Sequence, residues 1–324
     1  MITRRKLVIA LGAGALVPFS SFAQQPKVWR IGVLSPATAA FQVKNFEPLR
    51  AGLRDLSYVE GKNVVFEFRA AETKVERLPD LAAELVRLNV DLIVSGGVQA
   101  AIAASRATST IPIVASGADL VAVGLAASLA KPGGNVTGQL FFNEALNAKA
   151  LEFLKESIPT LTRVAALLPP DNPSTKLDME KITSIAKHLK VEISRYTVQG
   201  VADFEGAFAT MVKQRVGAVL VPNHALMNPN AKLSADLALR HRLPSAGNGG
   251  FAEVGGMLGY GVNFSDMYRR SAMTIDKIFK GARPGDLPIE QATTFDMVAN
   301  LKTAKALGIK IPNSILVRAT KVIE

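Results

Sequence analysis

Asp91-Leu92-Ile93-Val94-Ser95-Gly96-Gly97, running on through residues 98–107 into Thr110-Ile111-Pro112-Ile113-Val114-Ala115, decides the fold. A short apolar run, Val90 to Val94, stops at small residues. An amphipathic stretch follows, and then a second apolar run. Strands that read as continuous Val/Ile/Leu, joined through a helix, belong to a parallel sheet covered on both faces. Working outward, Val28-Trp29-Arg30-Ile31-Gly32-Val33-Leu34 and residues 63–69 are further strands. Between them and Val90, Leu78, Leu81, Ala82, Leu85 and Leu88 recur at helical spacing on one face.

The pattern then restarts. Residues 163–168, 191–198 and 218–221 read as strands, and residues 174–189, 202–213 and 230–242 as helices. The fold class is therefore α/β, with two Rossmann-like doubly wound halves. Three Gly/Pro-rich breaks punctuate them: Lys131-Pro132-Gly133-Gly134-Asn135-Val136-Thr137-Gly138, Gly255-Gly256-Met257-Leu258-Gly259-Tyr260-Gly261, and residues 281–288. A helix at 265–280, a strand near 293–298 and a helix at 301–307 complete the reading. Residues 120–129 are expected to form another helix.

The N-terminus reads as an export leader. Thr3-Arg4-Arg5-Lys6 is positive, residues 7–19 are apolar, and Ser21-Phe22-Ala23 is a small-x-small cleavage site, so residues 1–23 are expected to be cut after Ala23. The net charge of +11 falls to about +8 when the three basic residues of the leader go. The remaining charges are scattered rather than clustered, which argues against nucleic acid. No later stretch is long and apolar enough to span a membrane. The 324 residues contain no Cys and only three His, at 188, 224 and 241. Thiolate metal centres, disulfides and a Cys nucleophile are excluded, and no metal or cofactor is expected. Gly12-Ala13-Gly14 mimics a dinucleotide fingerprint but lies inside the leader. No nucleotide-binding Gly-x-x-x-x-Gly-Lys-Ser/Thr loop and no Gly-x-Ser-x-Gly elbow occurs, and no catalytic residue is assigned.

Ligands of doubly wound sheets sit beyond the carboxyl ends of the strands. That rule selects Ser35, Gly96, Gly97, Ser116, Asp119, Asp171, Asn172, Asn223 and His224, with Asn248 as a further side-chain contact. Gly96 and Gly97 let a ligand approach the backbone, and the helix that they open favours an anion such as a carboxylate. Ser116 could donate to the same carboxylate and Asp119 could accept from an ammonium. Asp119 could equally cap the next helix, and Asn172 or Ser174 could cap the helix after residue 173.

Arg30-Ile31-Gly32-Val33-Leu34-Ser35, residues 56–64, Thr110-Ile111-Pro112-Ile113-Val114, residues 129–138 and residues 300–308 resemble the periplasmic solute-binding proteins of ATP-binding cassette transporters. The branch is the one that includes tryptophan and other aromatic amino-acid binders. The resemblance implies the type I periplasmic binding fold, with two lobes joined by three crossover hinges: residues 28–136 plus 261–289, and residues 137–260 plus 290–324. It further implies a monomer that closes on one small molecule, an amino acid or related organic acid, and delivers it to a membrane permease with a separate ATPase subunit. By position in the motif, the family's ligand loops fall on Ser35, Gly97, Ser116, Asp119, Asn172 and Asn223. Asp119-Leu120-Val121 departs from the family's Asp-Pro-Val, so its aromatic preference is not carried over. A sensor receptor of the same fold is the alternative role. A DNA-binding repressor would need a helix-turn-helix where the leader stands.

Overall fold

A computed structural model describes residues 27–117, 119–170 and 173–324. The leader at residues 1–23, with its cleavage site, lies outside them, as do Asp171 and Asn172. The first half of the chain comprises β1 (Trp29–Ser35), α1 (Ala39–Asn45), α2 (Glu47–Asp55), β2 (Val64–Ala70), α3 (Leu78–Arg87), β3 (Leu92–Gly96), α4 (Gly97–Ala107), β4 (Ile113–Ser116) and β5 (Val136–Leu140). The second half comprises α5 (Asn143–Ser157), β6 (Arg163–Leu168), α6 (Pro173–His188), β7 (Glu192–Thr197), α7 (Asp203–Lys213), β8 (Ala218–Val221), α8 (Ala231–Arg240), β9 (Ser245–Gly247) and β10 (Leu258–Val262). The chain ends with α9 (Phe264–Phe279), β11 (Glu290–Gln291), β12 (Phe295–Asn300), α10 (Leu301–Leu307), α11 (Asn313–Leu316) and β13 (Lys321–Ile323).

The strands form two sheets. Their orders are β2-β1-β3-β4-β5-β11 and β7-β6-β8-β9-β10-β12-β13. The first five strands of each half thus follow the same 2-1-3-4-5 winding, the doubly wound order with its switch point beside the first strand. Every pairing is parallel except β10 with β12. Each sheet is buried on both faces. In the first, Ile31, Val33, Leu92, Val94 and Val114 pack with Leu49 and Leu53 of α2 and Ala272 and Ile275 of α9. The other face, with Leu34, Ile93 and Ala115, meets Leu81, Leu85, Ala100 and Ala104 of α3 and α4. The second sheet has the same two-sided cover. That double burial is why its strands read as unbroken apolar runs.

The passages between sheets come a few residues later than the sequence reading placed them. β5 hydrogen-bonds to β4 through residues 136–139, in the first sheet. β10 stays in the second sheet through Val262, and β11 returns to the first, beside β5. The chain therefore crosses near residues 141–143, 262–264 and 291–295. The expected helix at 120–129 is absent. Residues 120–124 make turns, and Gly124 adopts φ +73°, a left-handed state that stops helical winding. Leu125 and Ala126 both donate to the Leu120 carbonyl, and Ala127 turns away to the Pro132 carbonyl. The motif at 300–308 resolves into physical parts. Asn300 caps α10 by accepting from the Thr303 N–H, and Gly308 closes the helix at φ +74°.

Candidate ligand-binding cleft

The crossings orient the two sheets. β5 runs out of its carboxyl end into α5 of the second half, and β10 runs out of its carboxyl end into α9 against the first sheet. The carboxyl edges of both sheets therefore border the passage between lobes. Phe141 and Phe264 meet edge to face across two crossings, with ring centroids 5.7 Å apart. The Asn263 N–H donates to the Thr294 carbonyl at 3.0 Å, and the Asn263 amide donates to Asp296 at 3.0 Å. Thr294 and Arg270 both donate to Asp266. The three crossings thus form one cross-linked bundle.

On the first sheet, neighbouring strands bring Ser35, Gly96, Ser116 and Gln139 into one row at the carboxyl edge. Paired residues of parallel strands share a face. A Cβ on Gly96 would stand 3.8 Å from the Ser35 hydroxyl, consistent with that register. Ser35 Oγ accepts from the Ala37 N–H at 3.1 Å. The buried hydroxyl of Ser116 has no protein partner, and neither does either polar atom of Gln139, which is 1% exposed. Gln42 of α1 donates to the Val33 carbonyl at 3.1 Å and leaves its own Oε1 unpaired. Gly97 begins α4 at φ +78° with open space where a Cβ would stand, and no side chain caps that helix. The first-turn N–H groups are left for another acceptor. Gly117 also has positive φ, and any Cβ would strike the Phe141 ring at 2.6 Å. Asp119 Oδ1 accepts from the Ala122 N–H at 3.0 Å, so it caps, but it caps a turn rather than a helix.

On the second sheet, Asn223 and His224 follow β8, and Asn248 follows β9. Asn228, a residue the sequence reading missed, links them. Its Nδ2 donates to Asn223 Oδ1 at 2.7 Å, and its Oδ1 accepts from Asn248 Nδ2 at 2.8 Å. His224 Nδ1 accepts from the Leu226 N–H at 3.2 Å, while Nε2 is buried without a partner. Burial pushes the imidazole down to about 4, so the ring is neutral at pH 7. Glycines admit Asn248 to this edge: Cβ atoms on Gly259 and Gly261 would come within 2.4 and 2.9 Å of the Gly249 backbone.

Behind this edge, Asn147 of α5 donates to Asp178 of α6 at 3.0 Å. Asp178 is pushed up to about 7, chiefly by burial, with the Glu144 charge adding to it. Gln139 was also missed by the sequence reading. Its signal was a polar residue at an inward position in an apolar strand. Asn228 carried no such signal. Among the described residues, no group of three or more His, Cys, Asp or Glu could hold a metal ion, and no helix is long and apolar enough to cross a membrane.

A family model described as ABC transporter substrate binding protein matches residues 31–323. The chain belongs to that family and is a solute-binding protein. A tyrosine-binding protein of Clostridioides difficile (strain R20291) is 24% identical over 261 residues, covering 80% of this chain and 74% of that one. The ABC domain in complex with L-Trp from Streptococcus pneumonia superposes with a TM-score of 0.83 at 25% identity, over 92% of this chain and 100% of that one. A conserved domain protein of Vibrio cholerae superposes at 0.82 and 25% identity, over 91% of this chain and 100% of that one.

Proposed function

We propose that the two carboxyl edges close on one small molecule, an amino acid or a related small organic acid, and hand it to a membrane permease driven by a separate ATPase subunit. The observation that carries this reading is the set of unpaired polar atoms at the first edge. Ser116 and Gln139 lie in the row that passes Gly96, beside the uncapped start of α4. A buried polar atom without a partner costs about 1–3 kcal/mol, which a ligand carboxylate bound there would relieve. The helix dipole favours the same group. Asp119 is the acceptor for an ammonium, and Asn223, His224 and Asn248 form the opposite edge. Relatives that bind tyrosine or L-Trp support an amino acid as the ligand class.

The mechanism is closure about the three crossings without chemistry on the solute. A solute touching both edges shifts the open–closed balance by its differential affinity for the two states. In this reading the leader expected at residues 1–23 is cut after Ala23, and the mature chain works in the periplasm, as a monomer like its family. A thermal-shift and calorimetric screen of the mature protein with amino acids and small organic acids tests the proposal. At one hundred times Kd, a true ligand adds about 2.7 kcal/mol of stability. The double substitution Ser116→Ala and Gln139→Leu should abolish that gain. A broad library with no stabilising compound would sink the reading.

A further inference from the structure

The second edge ends in neutral side chains that fix one another's orientation. Asn248 donates to Asn228, and Asn228 donates to Asn223. An amide that gives its N–H on one side and accepts on the other has its two ends assigned. The direction of this chain leaves Asn248 Oδ1 at its head, an acceptor outside the chain's own bonds. His224 is oriented by the same loop. Its Nδ1 accepts the Leu226 N–H, so the neutral ring carries its proton on Nε2. The Asn228 N–H bonds to the His224 carbonyl at 2.9 Å, which ties the histidine to the amide chain. Nε2 is buried and donates to no protein atom. The loops after β8 and β9, Pro222-Asn223-His224-Ala225-Leu226-Met227-Asn228-Pro229-Asn230 and Gly247-Asn248-Gly249-Gly250, contain no charged residue.

Two loops tied through Asn228 thus carry a neutral donor, His224 Nε2, and a neutral acceptor, Asn248 Oδ1. An aromatic hydrocarbon would leave His224 Nε2 unpaired and, once closure excludes water, Asn248 Oδ1 as well, at a cost for each group so buried. A carboxylate would satisfy His224 but set its lone pairs against Asn248 Oδ1. An ammonium would satisfy Asn248 but meet the His224 N–H. A carboxamide supplies a carbonyl to the one and an N–H to the other, and a hydroxyl can do the same with one atom.

We propose that the His224–Asn248 edge selects a solute whose far end is an uncharged hydrogen-bonding group, a carboxamide above all, rather than an aromatic ring. This rests on the cleft reading above and adds the chemistry of one end. With the carboxylate at α4, the solute class is an amino acid with a polar, uncharged side chain. The imidazole stays neutral across about pH 6–8, so the selection does not change in that range.

Calorimetry on the purified mature protein with L-glutamine, L-asparagine, L-threonine, L-glutamate, L-lysine, L-tryptophan and L-tyrosine tests it. The expected result is that a carboxamide or hydroxyl amino acid binds at least tenfold more tightly than tryptophan and tyrosine. His224→Phe should then weaken that ligand at least tenfold, while His224→Gln, which restores an amide N–H, recovers most of the loss. The ligand-free melting temperature of each variant is measured alongside, and His224→Leu replaces the phenylalanine variant should that one not fold. Tighter or equal binding of an aromatic or charged side chain, or an unchanged affinity in the His224 variants, overturns the inference and leaves the cleft reading standing. Failure of all seven amino acids to bind removes the amino-acid reading and this inference with it.

Discussion

The two edges of the cleft are built by opposite means. The first is a row set by strand register, Ser35, Gly96, Ser116 and Gln139, whose unpaired atoms belong to rigid, buried backbone positions. The second is made of loops, and its side chains Asn223, Asn228 and Asn248 hold one another. The difference teaches that a binding surface can be ordered either by the sheet beneath it or by its own hydrogen bonds. Only the second kind depends on its polar groups to keep its shape.

The largest effect expected from that contrast is steric. Gly259→Val would drive a side chain into the Gly249 carbonyl, 2.4 Å from the first added carbon, and force apart β10 and the Asn248 segment. A loss of about 3 kcal/mol, read from denaturant unfolding, is expected. Gly97→Ala on the other edge meets open space and should cost only about 1 kcal/mol for its left-handed backbone. Equal losses at the two positions would erase the distinction.

Next in size is the polar comparison. Asn228→Leu breaks two hydrogen bonds and leaves Asn223 Oδ1 and Asn248 Nδ2 without the partner each has now, so the ligand-free protein should lose about 1–3 kcal/mol. Gln139→Leu removes two unpaired buried atoms, so the ligand-free protein should keep its stability or gain up to about 1 kcal/mol while ligand binding weakens. Chemical denaturation of the two variants side by side decides it. A destabilised Gln139→Leu would mean that the first edge is also self-supporting.

A pH series sharpens the same contrast with smaller slopes. Asp178 has a raised value of about 7, so its protonated form is favoured in the folded state, and its contribution to stability is lost as pH rises from about 4 towards 7. His224 has a lowered value of about 4, so its contribution is lost as pH falls from about 6.5 towards 4. The two slopes oppose each other, each at most about 1.4 kcal/mol per pH unit. Asp178→Asn should leave a protein that weakens only on the acid side, and His224→Gln one that weakens only as pH rises through that window. Melting curves at four or five pH values would check both.

The smallest effect concerns Trp29. It stands at the amino end of β1, stacked on Phe279 with centroids 4.0 Å apart and with Lys27 above its ring. Ser35, at the cleft, is roughly 20 Å further along the strand. Ligand binding should therefore change the intrinsic tryptophan emission of the mature chain by only a few per cent. A large change would mean that closure reaches through the whole first lobe.

What the sequence determined by itself was the repeating frame. Strands buried on both faces must be apolar throughout, and the helices that cover them must carry apolar stripes, so the strand Leu92–Gly96, the helix Leu78–Arg87 and their counterparts in the second half were legible as periodicity. The turns after those strands were legible too, because Gly97 and Gly117 hold backbone angles that other residues resist. The short strand Ser245–Gly247 was not, since three small residues carry no period. Nor was the fate of residues 120–129, where a helical pattern yields to the left-handed Gly124 and to non-helical hydrogen bonds with the Leu120 and Pro132 carbonyls. Only the tertiary structure joined Asn228 to Asn223 and Asn248 and left Gln139 unpaired. Those facts depend on which loops and strands meet in space, and hydrogen bonds between residues distant along the chain leave no local pattern to read.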